Sequence, residues 1–391
     1  MKDKQMSLAE AKQFVRQHIE KEAIINFKEE DVLAIQSIPS GSMLVDKTTG
    51  VGGIPRGRMT ELYGLPSSGK TTLMLHTCKN VQADGQGILY LDFEHAFNPG
   101  YARLIGLDLS SDRFILVQPE SFESGMGIAE LYIKNNLVGL IVVDSLAAMV
   151  TQKEWQAEVG ASGVAILAKA MAQELKRLNS MVKDSNVAMI FINHVHDVIE
   201  TGFAKRSGAK RTTTPGGRAL KFYASLRIEL TMIENIKGKV MNDVTGSVDE
   251  GSVAVKVKTF IAKNKVAAPF GIGYFYIRHN YGIDEVMIAV DIAIKRKLIE
   301  QKGARFALPA ALLETVEEAK SINGMAQLLR YFMDNPVMKE HLLEEVRKII
   351  KIGGQEVEEV GDAESDEPDP ELSGEESSLE SFPSEVDSSL G

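Results

Sequence analysis

Apolar runs of strand length recur along the chain at Met59–Tyr63, Ile88–Leu91, Phe114–Val117, Leu140–Val143 and Val187–Ile192. Between several of them lie segments with apolar residues at helical spacing, Thr71–Val81, Phe122–Asn135 and Ala165–Val182. Apolar strands alternating with helices predict an α/β fold, a mostly parallel sheet covered on both faces. Past residue 218 the rhythm changes. Segments 222–230, 252–262 and 273–279 are strand-like with no long helix between them, which predicts an antiparallel extension of the sheet. Residues 285–352 read as mainly helical, a small C-terminal unit. Ahead of the core, Ser7 and Glu10 stand at N-cap and N3 spacing, with Phe14, Val15, Ile19 and Ala23 following, so a helix is expected over 7–23. A strand-like run, Val32–Ile35, comes next. This helix and strand either fold back on their own core or dock on a neighbouring subunit.

Composition is that of an ordinary globular protein: 391 residues, 44% hydrophobic and 25% charged. The net charge of −10 is unevenly spread. Residues 356–391 hold fourteen Asp or Glu and no Lys or Arg, which leaves about +4 on residues 1–355. From about Gly353 onward the chain is rich in Ser, Glu and Pro and is expected to be disordered. The expected division is 1–43, an N-terminal arm; 44–284, the core; 285–352, the C-terminal domain; and 353–391, the acidic tail. Cys78 is the single cysteine, so there is no intrachain disulfide and no Cys-rich zinc site. A reducing cytoplasm fits. Met1–Gln5 opens no apolar run, so no signal peptide is visible. The apolar stretch near Val138–Val143 is far too short to span a membrane.

Gly64, Leu65, Pro66, Ser67, Ser68, Gly69, Lys70 and Thr71 fit the phosphate-loop pattern G-x-x-x-x-G-K-[ST] without deviation, between an expected strand and an expected helix. Its glycines let backbone amides turn onto phosphates, and the helix N-terminus adds a positive dipole. Lys70 is expected to reach the β- and γ-phosphates of ATP, and the Thr71 hydroxyl to ligate Mg²⁺. A bare glycine turn would not need the whole motif in that context. Asp144 closes the apolar strand Leu140–Val143, where a phosphate-loop protein needs an acid for its magnesium shell. Glu94 closes another strand; it either polarises the attacking water or is a solvated strand-end acid. Lys263 and Lys265 flank Asn264 after a long strand, as a cationic clamp on a phosphate or as plain surface lysines.

Residues 194–217 show no clear periodicity. Within 197–218, Lys205, Arg206, Lys210, Arg211 and Arg218 stand against two acids, with Gly202, Gly208, Gly216 and Gly217 interspersed. A basic, glycine-rich loop of that length suits a phosphodiester backbone, and a solvated basic loop is the bland alternative. Phe203 is its only aromatic residue, so base stacking is a minor term there.

These segments together resemble bacterial and bacteriophage RecA-type recombinases. The matching text is Gly64–Thr72 (GLPSSGKTT), Leu91–Ala96 (LDFEHA), Tyr101–Arg103, Ile141–Ala148 (IVVDSLAA), Phe191–Asn193, Thr212–Ser225 (TTTPGGRALKFYAS) and Ala262–Phe270 (AKNKVAAPF), in the family's order over roughly residues 35–300. The resemblance implies a RecA-like ATPase and DNA-binding core. It makes Glu94 the residue that activates the hydrolytic water and Tyr101 the ring on adenine, with Thr72 beside the nucleotide. It makes Lys263 and Lys265 the pair that reaches the ATP of the adjacent subunit. Glu158, Gly160, Ser162 and Gly163 fall in one DNA-binding loop; Lys205, Arg206, Lys210, Arg211, Thr213, Gly216, Gly217 and Arg218 fall in or beside the other. Lys221, Phe222 and Arg227 match the interface segment that couples DNA to ATP. The N-terminal arm is then a polymerisation element, and the acidic tail competes with DNA for basic surface.

Four departures stand out. His194 occupies the position of the family's γ-phosphate-sensing glutamine, which brings protonation into play. Asn98 replaces an Asp near the adenine, and His279 stands where an aromatic cap often lies. The second loop is longer and more basic than usual. The implied function is an ATP- and Mg²⁺-dependent protein that forms helical filaments on single-stranded DNA and pairs it with homologous double-stranded DNA. Single-strand-binding and mediator proteins are the implied accessory partners. A hexameric helicase of the same core fold and a non-catalytic recombination mediator are the rival readings.

Overall fold

A computed structural model describes residues 13, 14, 17, 35–156, 164–197, 212–241, 248–308 and 320–350. Most of the expected 7–23 helix, the run Val32–Ala34, the loop residues Glu158, Gly160, Ser162 and Gly163, the basic residues Lys205, Arg206, Lys210 and Arg211, and the acidic tail lie outside the described residues.

The core begins with β1 (Ser37–Ile38), α1 (Met43–Thr49), β2 (Ile54–Pro55) and β3 (Met59–Gly64), which enters the phosphate loop. Then follow α2 (Lys70–Ala83), β4 (Ile88–Asp92), α3 (Pro99–Ile105), β5 (Phe114–Val117), α4 (Phe122–Lys134) and β6 (Leu140–Asp144). After a 3₁₀ turn come α5 (Gln152–Gln156), α6 (Val164–Ser185), β7 (Ala188–His194), β8 (His196–Asp197) and β9 (Thr212–Thr213). The chain continues through α7 (Ala219–Tyr223), β10 (Leu226–Met241), β11 (Val248–Asn264), β12 (Ile272–Arg278) and β13 (Gly282–Ile283). It ends, among the described residues, with α8 (Glu285–Lys295), β14 (Glu300–Lys302), β15 (Arg305–Leu308), β16 (Lys320–Asn323), α9 (Met325–Asp334) and α10 (Pro336–Ile350).

Nine of the described strands form one sheet in the order β13-β12-β11-β10-β3-β7-β6-β4-β5. From β10 to β5 every pairing is parallel, and from β10 to β13 every pairing is antiparallel. The continuous apolar runs are explained by burial on both faces. Along β7, Ala188, Ile190 and Ile192 enter one apolar cluster, while Met189 and Phe191 enter the other. Leu140/Val142 and Ile141/Val143 of β6 divide in the same way. On one face α4 buries Phe122, Met126, Ala129 and Ile133, and α6 buries Met171, Leu175, Leu178 and Val182, both at helical spacing. On the other, α2 buries Leu73, Met74, Cys78 and Val81. The same cluster continues through Ile288, Val290 and Ile292 of α8 to Phe332 of α9 and Leu342 of α10.

The structure corrects the expected strand over 222–230. Residues Ala219–Tyr223 are a short helix with Leu220 buried beneath it, and the strand starts at Leu226. The antiparallel extension is longer than its apolar segments, because β10 and β11 run 16 and 17 residues as one hairpin. Within 285–352 a three-stranded antiparallel sheet, β14-β15-β16, accompanies the helices. Its strands are three to four residues long, too short to show an alternation in the sequence.

Candidate nucleotide-binding site

The phosphate loop leaves the central strand β3 and is shaped by backbone that only particular residues tolerate. Gly69, the N-cap of α2, has φ +89°, and a Cβ there would meet Ile277 Cδ1 at 2.5 Å. A Cβ on Gly64 would meet Leu230 O at 2.3 Å, so the loop is pressed against the neighbouring strand. Lys70 is buried and its Nζ donates to the carbonyls of Gly64, at 3.1 Å, and Leu65, at 2.9 Å. Burial lowers its pKa, and Asp144 and Glu94 pull the other way. The Ser68 hydroxyl is buried without a partner among the described residues. Loop and helix together line a cavity of about 580 Å³ with Glu94, Tyr101, Asp144, Ile192 and His194.

Asp144 ends β6 beside β4, directly across from Asp92. Burial pushes its carboxyl up to about 6, against the hydrogen bond from Tyr90, with Glu94 and Asp92 raising it further. Tyr90 Oη donates to Asp144 Oδ2 at 2.6 Å. Asp92 is buried too, and accepts from the backbone amides of Ala96 and Phe97 and from Gln118 Nε2, so it builds the turn that carries Glu94. Glu94 Oε1 is held from two sides, by the Ser145 hydroxyl and by His194 Nε2 at 2.9 Å. Sequence reasoning missed Tyr90, Asp92 and Ser145. Asp92 and Ser145 lie within matched motifs, but nothing in their local pattern separates a turn-building acid from a solvated one.

The other wall comes from α3 and the hairpin strands. Tyr101 Oη lies 3.0 Å from Thr72 Oγ1, tying α3 to α2. Asn98 is the N-cap of α3 and accepts from the Tyr101 amide at 3.0 Å. Met232, Val255, Ile277, Arg278, His279 and Asn280 complete the lining. Arg278 pairs with Asp284 at 3.0 Å and covers the Tyr281 ring at 3.8 Å, which steadies the turn bearing His279.

The described ends of the basic loop meet as a two-rung ladder, His196↔Thr213 and Asp197↔Thr212. Gly216 and Gly217 follow with φ +87° and +70°, a backbone that favours glycine. Gly217 and Arg218 are exposed. Lys263 and Lys265 stand away from this chain's own cavity. Lys263 Nζ donates to the carbonyls of Lys221, at 2.5 Å, and Phe222, at 3.1 Å, and Lys265 Nζ to Phe222 O at 3.0 Å. Burial pulls Lys263 down to about 8, with Lys265 beside it adding to the shift. Phe222 is 69% exposed. Arg227 is turned inward instead: its Nε donates to the fully buried Glu61 at 2.5 Å, and its guanidinium covers Tyr63.

A phosphate loop on the central strand of a parallel sheet, with an acid at the end of a nearby strand, defines a P-loop nucleotide-binding protein. The chain belongs to the RecA family, since the model of the RecA N-terminal domain matches residues 6–284. It is 34% identical to Protein RecA of Clostridium tetani over 351 residues, 90% of this chain and 95% of that one. It is 35% identical to Protein RecA of Ruminococcus albus over 357 residues, 91% of this chain and 82% of that one. Against Protein RecA of Clostridium acetobutylicum it is 38% identical over 287 residues, 73% and 77% of the two chains. The family is that of ATP-dependent homologous recombination proteins, and the helicase and mediator readings are not favoured. Among the described residues no helix is long and apolar enough to cross a membrane.

Proposed function

We propose that the chain is a DNA-stimulated ATPase that polymerises on single-stranded DNA and catalyses homologous pairing and strand exchange. The observation that carries this reading is the placing of Glu94. One of its oxygens lines the triphosphate cavity and is bound by His194, two residues before the ladder that closes the basic loop. Occupancy of that loop by a phosphodiester and the position of the hydrolytic carboxylate are thereby joined through one short backbone segment.

In this reading Gly64–Thr72 cradle the phosphates, and Lys70 exchanges its carbonyl partners for phosphate oxygens. Glu94 takes the proton of a water as the water oxygen attacks the γ-phosphorus and the bond to the β-phosphate oxygen breaks. The residues present suit Mg²⁺. Asp144 and the Thr71 hydroxyl are hard oxygen donors, and an acid raised by burial, with Glu94 and Asp92 adding to the shift, gains from a cation. Among the described residues no cluster of three or more His, Cys, Asp or Glu is poised for a metal. When bound, Mg²⁺ would neutralise developing phosphate charge.

Lys263 and Lys265 would serve the ATP of the adjacent protomer, with Lys221 and Phe222 at that interface. Residues 1–43 would be the polymerisation arm, 285–352 a C-terminal domain and 353–391 an acidic competitor for basic surface. Several phosphate contacts per protomer make DNA binding steeply salt-dependent. The test is ATP hydrolysis with and without single-stranded DNA, together with images of the complex formed with a slowly hydrolysed ATP analogue. Stimulation by DNA, helical filaments and loss of turnover in Glu94→Gln are expected. Unstimulated turnover that survives Glu94→Gln, or closed rings, would sink the reading.

A further inference from the structure

Tyr90 places a hydroxyl in an apolar core. It lies fully buried on β4, in the cluster beneath α2 that includes Cys78 and Val142. Its ring meets Phe97 edge-on, with centroids 5.2 Å apart at 68°, and Phe114 at 6.4 Å. Phenylalanine would fill that space as well, so packing does not explain the hydroxyl. A buried hydroxyl destabilises unless it is hydrogen-bonded. Among the described residues this one has a single partner, Asp144 Oδ2, at 2.6 Å.

The register of the sheet makes that contact. Tyr90 stands opposite Val142, and Asp92 opposite Asp144, on parallel strands. Residues two apart along a strand share a face, so Tyr90 and Asp144 are diagonal neighbours on the side that carries α2. The phenol bridges the diagonal, whereas a bare phenyl ring would stop short of the carboxylate. The backbone of Asp144 is fixed already, since its carbonyl accepts from the amides of Phe93, at 2.6 Å, and Glu94, at 3.3 Å. What remains is rotation of the carboxylate, and the Tyr90 hydroxyl restrains it by holding Oδ2. Oδ1 has no hydrogen-bond partner among the described residues, and Asp144 lines the cavity with Lys70 and Thr71.

We propose that Tyr90 is a positioning residue: its hydroxyl fixes Asp144 with Oδ1 turned to the cavity, ready for the divalent cation that accompanies a triphosphate. The proposal deepens the triphosphate reading and rests on it. A hydrogen bond behind a ligating carboxylate orients it in advance, and loss of such a bond weakens metal affinity by about tenfold to a hundredfold. Tyr90 does not line the cavity, so it acts through Asp144 alone.

Tyr90→Phe keeps the ring and removes only the hydroxyl. Binding of a slowly hydrolysed, fluorescent ATP analogue is to be titrated with Mg²⁺ for the wild type, Tyr90→Phe, Asp144→Asn and the double variant, and repeated in excess chelator. In Tyr90→Phe the Mg²⁺ midpoint is expected to rise by about tenfold. Affinity for the analogue in chelator should be unchanged, and ATP turnover should return towards wild type at high Mg²⁺. In the Asp144→Asn background the same replacement should leave the midpoint where it was.

An unchanged Mg²⁺ midpoint in Tyr90→Phe overturns the proposal, as does a further shift in the double variant. So does an equal loss with and without Mg²⁺, or a Tyr90→Phe chain that does not fold, because either makes the hydroxyl a purely structural group. Lys70→Ala tests the underlying reading separately. If the wild type binds no analogue, or Lys70→Ala binds it equally well, the triphosphate site is wrong and the proposal falls with it. If Lys70→Ala weakens binding while Tyr90→Phe changes nothing, only the role of Tyr90 fails.

Discussion

Nε2 of His194 and Oε1 of Glu94 stand 2.9 Å apart, joining the last residue of β7 to the turn that follows β4. The hydrogen bond spans two strand ends and meets the hydroxyl of Ser145 on the same oxygen. His194→Gln keeps a donor there, whereas His194→Phe removes it. The expected outcome is DNA-stimulated ATP turnover within a few-fold of wild type for the glutamine. For phenylalanine a loss of about tenfold is expected, the value of a hydrogen bond to a charged group. Steady-state ATPase assays with saturating single-stranded DNA decide it, and equal rates for the two variants would show that the contact is idle.

A second expectation concerns Glu61, which is fully buried between Arg227 and Asn193. Asn193 Nδ2 also donates to Pro215 O at 3.1 Å, so this carboxylate lies under the root of the basic loop. Glu61→Ala strands a mostly buried guanidinium, at a cost of roughly 3–5 kcal/mol. Urea denaturation should show this as a large fall in midpoint, with Glu61→Gln milder. A change under 1 kcal/mol for the alanine would mean that Arg227 finds another partner.

Stability should also respond to pH through Asp46. Its carboxyl accepts the Ser40 amide at 2.8 Å, yet burial pushes it up to about 7, and Glu285 raises it further. A folded-state pKa above the unfolded value means that the native protein binds the proton more tightly. The acid therefore costs stability progressively as pH rises from about 4 to 7, and costs it in full above that. Asp46→Asn keeps an acceptor and removes the charge. Its advantage over wild type should be small at pH 4 and grow to as much as about 4 kcal/mol at pH 8. Thermal or urea unfolding across that range is the measurement, and a pH-independent difference would refute the assignment.

If Lys263 and Lys265 serve the ATP of the adjacent protomer, as proposed, mixtures of variants should show it. A Lys263→Ala/Lys265→Ala protein and a Glu94→Gln protein should each be nearly inactive on DNA. Mixed together, some interfaces pair an intact Glu94 with intact lysines, and turnover should reappear. Absence of recovery in filaments shown to contain both proteins would place the lysines within a single protomer.

Local pattern carried the parallel half of the molecule. Strands such as Leu140–Asp144 are buried on both faces, and double burial leaves an unbroken apolar run that sequence displays openly. The phosphate loop was legible because its backbone demands glycine at fixed places. What the sequence hid was cooperation between distant residues. Glu94, Ser145 and His194 meet only once three strands are aligned, and Asn235, Ser252 and His279 only once a hairpin sets their register. Phe222 and Tyr223 open the segment 222–230 that reads as strand, yet they end a short helix, Ala219–Tyr223, whose Leu220 is packed into the core.

The ammonium groups of Lys263 and Lys265 are docked on the carbonyls of Lys221 and Phe222, three hydrogen bonds inside one chain. If these lysines are to grip a neighbour's triphosphate, they must first let go of their own helix. An empty neighbour gives them no reason to do so. The lone subunit thus carries a latch in its resting position, and a contact between two nucleotide-free subunits would start with that deficit. Only a partner that already holds its triphosphate offers enough negative charge to spring it, which would make loading a precondition of growth rather than a result of it.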